Sequence, residues 1–177
     1  MSDSEAGVTL TIDDLNRMTA SDFTARFGDV AEHSPWVAER AAGARPFADR
    51  DAVVDAFAAA LRDATRDERL AVLRAHPDLA GKAAVAGALT EDSRREQAGA
   101  GLDRLTPAEF ERFTALNAAY RKRFGIPFIF AVKGATKVMI LGAFEERSGN
   151  GREVELGNAI ENVCRIIRFR IEDRVAG

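Results

Sequence analysis

Histidine is scarce in this chain: of 177 residues only two are histidine, His33 and His76. Any chemistry that needs an imidazole must use one of them. Cysteine is scarcer still. The single thiol, Cys164, excludes an intramolecular disulfide and fits a reducing compartment. It lies in an apolar stretch and reads as core rather than nucleophile. No apolar run is long enough to cross a membrane. No basic tract or aromatic-interleaved basic patch is present, and a net charge of −3 comes from acidic and basic residues mixed throughout, so nucleic acid is not an expected partner. Met1 to Gly7 is polar and acidic and lacks the basic and apolar regions of a signal peptide. Arg174-Val175-Ala176-Gly177 is not a peroxisomal address. Cytoplasm is the expected location. β-branched alternation is also scarce, whereas alanine and period-3.6 patterns dominate, and this makes the expected class all-α.

The length suits one domain, residues 1–177, with a real core; hydrophobic content of 46% and charged content of 30% are ordinary for a globular protein. The pattern predicts a helical assembly of about eight helices with one extended segment crossing near the site. The first helix starts at Thr11, with Asp13 and Asp14 where the helix dipole favours acids. A short second helix follows Ser21. Ser34-Pro35-Trp36 reads as N-cap, N1 proline and helix to Ala42. Longer helices follow from Asp49 or Asp51 to Leu61 and from Arg66 to Ala75. Gly81 to Ala88 reads as loop. Thr106-Pro107-Ala108-Glu109 is a capping box with proline at N1, opening a helix that Gly125 stops after Phe124. Thr136 to Glu146 and Glu153 to Val175 are the last two helices.

Several polar residues stand out against this pattern. His76 ends the Arg66–Ala75 helix because Pro77 forces the preceding residue out of the α region. There it either hydrogen-bonds the last free carbonyls or faces a cleft as a chemical group. Ser93-x-x-Glu96 fits a capping box; if Thr90 is the cap instead, Ser93, Glu96 and Gln97 share one helical face. On the final helix, Glu161, Arg165, Arg168 and Glu172 form a solvated stripe. Arg170 falls among Val163, Ile166 and Ile167, where a guanidinium needs an anion. Either a carboxylate of the protein or a ligand supplies it. Asn117 shares a face with Phe110, Phe113, Tyr120 and Phe124, and a nearby loop backbone is its expected partner. The run Phe128-Ile129-Phe130-Ala131-Val132 has strand composition but no partner strand. It reads as an extended segment with backbone groups that a ligand can partly satisfy.

Five blocks in order then carry a resemblance. They are Phe27-Gly28-Asp29-Val30-Ala31-Glu32-His33-Ser34-Pro35-Trp36; His76-Pro77-Asp78-Leu79-Ala80; Ser93-Arg94-Arg95-Glu96-Gln97-Ala98-Gly99-Ala100-Gly101-Leu102; Leu116-Asn117-Ala118-Ala119-Tyr120 with Phe124-Gly125-Ile126-Pro127-Phe128-Ile129; and Arg165-Ile166-Ile167-Arg168-Phe169-Arg170-Ile171. Together they resemble the 2-oxo-4-hydroxy-4-carboxy-5-ureidoimidazoline (OHCU) decarboxylases of urate breakdown, over most of the chain. The resemblance implies an all-helical homodimer without cofactor or metal that converts OHCU to S-allantoin and carbon dioxide. It implies His76 as the acid/base, Glu96 as its carboxylate partner and Arg170 as the substrate-binding arginine. Pro77, Ser93, Gln97 and the backbone of Phe128, Ile129, Phe130, Ala131 and Val132 resemble the ligand-contacting set. The chemistry is consistent: the ring C=N beside the carboxylated carbon accepts the electron pair left by carbon dioxide, so no pyridoxal or thiamin is required. An imidazole suits the proton transfer that remains.

His33 reads as a local hydrogen-bonding or lining residue and Trp36 as packing. A metal-dependent hydrolase would have to use His33, His76 and Asp78, whose spacing fits no recognised ligand pattern. A non-catalytic interaction module would expose an apolar patch and enclose no polar pocket; Arg170 among apolar neighbours speaks against it.

Overall fold

The structure is a computed structural model that describes residues 8–177. The acidic stretch Met1 to Gly7 lies outside the described residues. Those residues form helices joined by turns, with no strand among them; the single isolated bridge pairs Leu10 with Val175. The all-α expectation therefore holds. In chain order the helices are α1 (Ile12–Arg17), α2 (Ala20–Phe27), α3 (Trp36–Ala42), α4 (Arg50–Arg62), α5 (Arg66–Ala75), α6 (Lys82–Val85), α7 (Glu91–Gly99), α8 (Pro107–Phe124), α9 (Lys137–Ser148) and α10 (Arg152–Arg174). They cluster into two compact units, one of residues up to Ala64 together with Cys164–Gly177, the other Thr65–Val163.

In the first unit, side-chain caps place the helix starts. Thr11 and Asp14 form a reciprocal capping box at α1, Thr19 caps α2 and Asp49 caps α4. Two starts differ from the sequence reading. Thr19 captures the amide of Asp22, so α2 begins before Ser21. The Ser34 hydroxyl donates to the Glu32 carbonyl at 2.8 Å instead of capping, and α3 begins at Trp36 without a side-chain cap. The core gathers around Phe23, whose ring centroid lies 4.9 Å from Phe27, 6.0 Å from Phe47 and 6.2 Å from Phe57. Full burial of each such ring is worth about 1.5–3 kcal/mol. Ile167 and Ile171 of α10 and Val175 just beyond it are buried in the same unit, and Cys164 is buried as expected.

In the second unit, Thr65 with Glu68 and Thr106 with Glu109 form capping boxes, and Gly125 ends α8 in the left-handed conformation at φ 72. The core is aromatic. Phe128 stacks on Phe144 at 3.7 Å, meets Tyr120 edge-on at 5.2 Å, and Phe113 meets Phe144 edge-on at 6.0 Å. Residues 127–132 form neither helix nor strand, yet Phe128, Ile129, Ala131 and Val132 are buried. Two sequence expectations change here. The stretch read as loop from Gly81 to Ala88 contains the short helical turn α6. Phe110, assigned to the buried face of α8, is 39% exposed. It sits in the first turn of α8, at a cavity of about 650 Å³ that Leu105, Pro107 and Gln97 also line.

Candidate active site

His76 is the C-cap of α5, with φ −77 and ψ 141, the extended conformation that Pro77 imposes. Its side chain is buried, and Nδ1 lies 2.8 Å from the Val72 carbonyl. A carbonyl only accepts, so Nδ1 carries the proton and Nε2 is the nitrogen left to exchange one. The plain expectation for a helix-end histidine, a bond to one of the last carbonyls, is thus met. The same bond selects the tautomer.

The three residues after Pro77 are each tied down. Arg121 pairs with Asp78 at 2.8 Å, Asn117 Nδ2 donates to the Leu79 carbonyl at 2.8 Å, and the Ala80 amide donates to Gln97 Oε1 at 2.9 Å. Asn117 thus finds the loop backbone expected of it. Ala80 has φ 52, in the left-handed region that an alanine enters at a cost of about 1–3 kcal/mol. Asn117 and Gln97 bind the carbonyl and the amide of the Leu79–Ala80 peptide and so fix the backbone that enters that strained residue.

Thr90, not Ser93, caps α7: its hydroxyl oxygen accepts from the Ser93 amide at 3.3 Å. Ser93, Glu96 and Gln97 therefore share one helical face, the alternative that presents a hydroxyl, a carboxylate and an amide together. Ser93 and Gln97 are buried and Glu96 is half-buried. Gln97 joins this face to the loop that follows His76.

The segment 128–132 is held by two side chains. Arg147 Nη1 donates to the Ile129 carbonyl at 2.7 Å, and the Ala131 amide donates to Asn162 Oδ1 at 3.1 Å. Arg147 is 8% exposed and its partner Glu155 is 0% exposed. Arg147 Nε lies 3.2 and 3.1 Å from the two Glu155 oxygens and Nη2 lies 3.0 Å from Oε2. Asn150 and Asn158 each donate to Oε1 at 2.9 Å, and the Tyr120 hydroxyl donates to Oε2. Burial pushes the Glu155 carboxyl up, but the hydrogen bonds from Arg147, Tyr120, Asn150 and Asn158 together outweigh it and leave it below its ordinary value. Burial, then the bond to Glu155, raises the Tyr120 phenol. The sequence reading passed over Arg147 and Glu155. The signal was present: Ile140, Phe144 and Arg147 follow one helical face, as do Glu155, Ala159 and Val163. That is the same criterion that singled out Arg170.

In the first unit, Arg170 is 3% exposed; Nη2 lies 3.0 Å from Glu32 Oε1 and Nη1 lies 3.2 Å from the Val30 carbonyl. Glu32 is thus a protein carboxylate partner of this guanidinium. Arg168 lies on the half-exposed stripe, paired with Asp51 at 3.0 Å and Glu172 at 3.5 Å. His33 is exposed, with φ 48 and its Nε2 3.9 Å from Glu32 Oε2. Trp36 is half-buried under the Arg40 guanidinium at 4.4 Å. Among the described residues, no group of three or more His, Cys, Asp or Glu is arranged to hold a metal ion, and no helix is long and apolar enough to cross a membrane.

The family model for OHCU decarboxylase matches residues 16–172. The chain belongs to the OHCU decarboxylase family. The matched span contains His76, Glu96, Arg170 and every other residue assigned to the site from the sequence. The 2-oxo-4-hydroxy-4-carboxy-5-ureidoimidazoline decarboxylase of Haloferax volcanii is 41% identical over 165 residues, covering 93% of this chain and 96% of that protein. The uric acid degradation bifunctional protein PucL of Bacillus subtilis is 40% identical over 163 residues, 92% of this chain and 32% of that protein. Among solved structures, an (S)-allantoin synthase superposes with a TM-score of 0.76 at 30% identity, covering 94% of this chain and 54% of that one. An OHCU decarboxylase crystallised in the presence of (S)-allantoin superposes with a TM-score of 0.67 at 20% identity and supports the fold.

Proposed function

We propose that this chain is a carboxy-lyase of urate degradation that converts OHCU to S-allantoin and carbon dioxide without an added cofactor. Family membership over nearly the whole chain supports the reaction. The residue-level reading rests on one observation: the buried imidazole of His76, whose Nδ1 is anchored on the Val72 carbonyl 2.8 Å away.

The chemistry follows from the substrate. The bond between the ring carbon and its carboxylate breaks, and carbon dioxide leaves. The released pair forms a double bond to the neighbouring ureido-bearing carbon, and the C=N pair moves onto the ring nitrogen, which takes a proton. The hydroxyl then gives up its proton as its oxygen becomes a carbonyl. The ureido-bearing carbon takes a proton on one face, which sets the configuration. His76, donating from Nε2, is the shuttle for that proton, with Glu96 as its carboxylate partner. Arg170 and the polar groups of Ser93 and Gln97 bind the substrate, with Pro77 and the backbone of Phe128 to Val132 completing the contacts.

We assign the chain as one functional domain, residues 1–177, expected to melt in a single calorimetric transition. A cytoplasmic homodimer completes the reading. The exposed Phe110, Val138 and Met139, which follow Glu109 and Lys137 of one ion pair in sequence, are among the apolar side chains available for it. Sedimentation should give twice the chain mass. The reaction itself is tested by generating OHCU enzymatically and following circular dichroism with and without the protein. Faster growth of the S-allantoin signal is expected. An unchanged rate and sign would reject the assignment.

A further inference from the structure

Arg147 lies in the last turn of α9 and reaches two things at once. Its Nε and Nη2 meet the Glu155 carboxylate, and its Nη1 meets the main-chain carbonyl of Ile129 at 2.7 Å. Its guanidinium also lies 4.5 Å over the ring of Phe128. One buried side chain therefore contacts two consecutive residues of the unstructured segment. Glu155, in the first turn of α10, ties in Tyr120 of α8 through its hydroxyl, and Asn150 and Asn158 fill the remaining carboxylate positions. Two residues along the segment, the Ala131 amide is held by Asn162, which donates in turn to the Asn158 carbonyl.

In a stretched chain, residues two apart turn their polar groups to the same edge. The edge carrying Ile129 and Ala131 is thus occupied by protein. On the opposite edge the Val132 carbonyl accepts from the Ala135 amide at 2.9 Å, so the Phe130 backbone groups and the Val132 amide are the ones available to another partner. A run with no strand beside it has no ladder to set its register. The Arg147 fork and the Asn162 amide supply that register.

We propose that Arg147, locked by Glu155, is a positioning residue that sets the Phe130 backbone groups and the Val132 amide at the depth needed to bind the ureidoimidazoline. This rests on the reading that the Phe128–Val132 backbone contacts substrate. Lysine at this position keeps the charge beside Glu155 but lacks the planar fork, so it cannot hold both Glu155 and Ile129. A residue that only stabilises the fold would change the amount of active protein, not the affinity of the folded part. A residue that sets the binding edge changes KM, because contacts made equally in ground and transition states appear there.

The test uses the full chain and two readouts. The first is steady-state kinetics of the wild type and Arg147→Lys, with folding checked by far-UV dichroism. KM should rise about tenfold while kcat stays within about twofold, the loss of one charged hydrogen bond. The second is hydrogen exchange at the Phe130 and Val132 amides with and without S-allantoin. Protection is expected in the wild type and should be weaker in the variant. Protection in the wild type with an unchanged KM in Arg147→Lys would overturn the clamp and leave the segment as a binding edge. No protection in the wild type would remove the binding edge and the clamp with it. If Arg147→Lys does not fold, Asn162→Ala, which releases Ala131 instead, should raise KM by roughly threefold. An unchanged KM in that variant would overturn the proposal equally.

Discussion

Each of the two units buries an arginine against a glutamate, and the two pairs are built differently. Arg170 and Glu32 are separated by 138 residues, while Arg147 and Glu155 are separated by 8. The first pair joins the C-terminal half of α10 to the turn before α3. The second spans only the short turn between α9 and α10. The long-range pair closes a large loop and the local pair a short one, so the first carries the larger cost in chain entropy. Glu155 receives Tyr120, Asn150 and Asn158 as well as Arg147. A buried ion pair offsets its desolvation only when such extra hydrogen bonds are present. The comparison separates two uses of a buried arginine, one assigned to substrate and one assigned to the backbone that meets it.

The largest expected effect comes from removing one partner. Glu155→Leu should destabilise the protein by about 3–5 kcal/mol, because it strands a buried guanidinium and takes the acceptor from Tyr120, Asn150 and Asn158. Glu32→Leu should lie at the lower end of that range. Urea unfolding of the two variants checks the order, and a larger loss for Glu32→Leu would break the comparison.

Acid should expose the same difference. The Glu155 carboxyl is held below its ordinary 4.5, chiefly by Arg147 once burial has been overcome. A carboxyl depressed by folding contributes stability that is fully present above its unfolded value and is lost as pH falls through the folded value. Stability should therefore hold above about pH 5 and decline below pH 4.5. Glu155→Gln, less stable at neutral pH, should show a shallower decline; an identical slope would mean that other carboxylates dominate. The smallest effect belongs to Arg168, two residues from Arg170 but on the half-exposed stripe. Arg168→Ala should change stability by less than about 1 kcal/mol. A loss as large as that at Glu155 would show that burial is the wrong criterion for telling these arginines apart.

Helix positions were legible from local chemistry. Pro77 marked the end of α5 at His76, and Thr106 with Glu109 marked the start of α8, because each signal acts within a few residues. Ser34 misled for a related reason: a serine before a proline suits a cap, but its hydroxyl found the Glu32 carbonyl instead. At the site, the shared face of Ser93, Glu96 and Gln97 was one of two alternatives. The Thr90 hydroxyl decided between them. Arg170 stood out against its apolar neighbours, yet Glu32 could not be named as its partner, since no local pattern joins positions so far apart. Arg147 was passed over because the helix was read to end at Glu146, one residue short of it, whereas α9 runs on to Ser148. Only its alignment with Ile140 and Phe144 set it apart.

The most direct test of the account compares wild type with His76→Asn in the dichroism assay on freshly generated OHCU. The account predicts an unchanged helical spectrum and a fall in turnover of about 10²–10⁴-fold, the usual contribution of a positioned acid/base. A folded His76→Asn protein that still forms S-allantoin near the wild-type rate would contradict it.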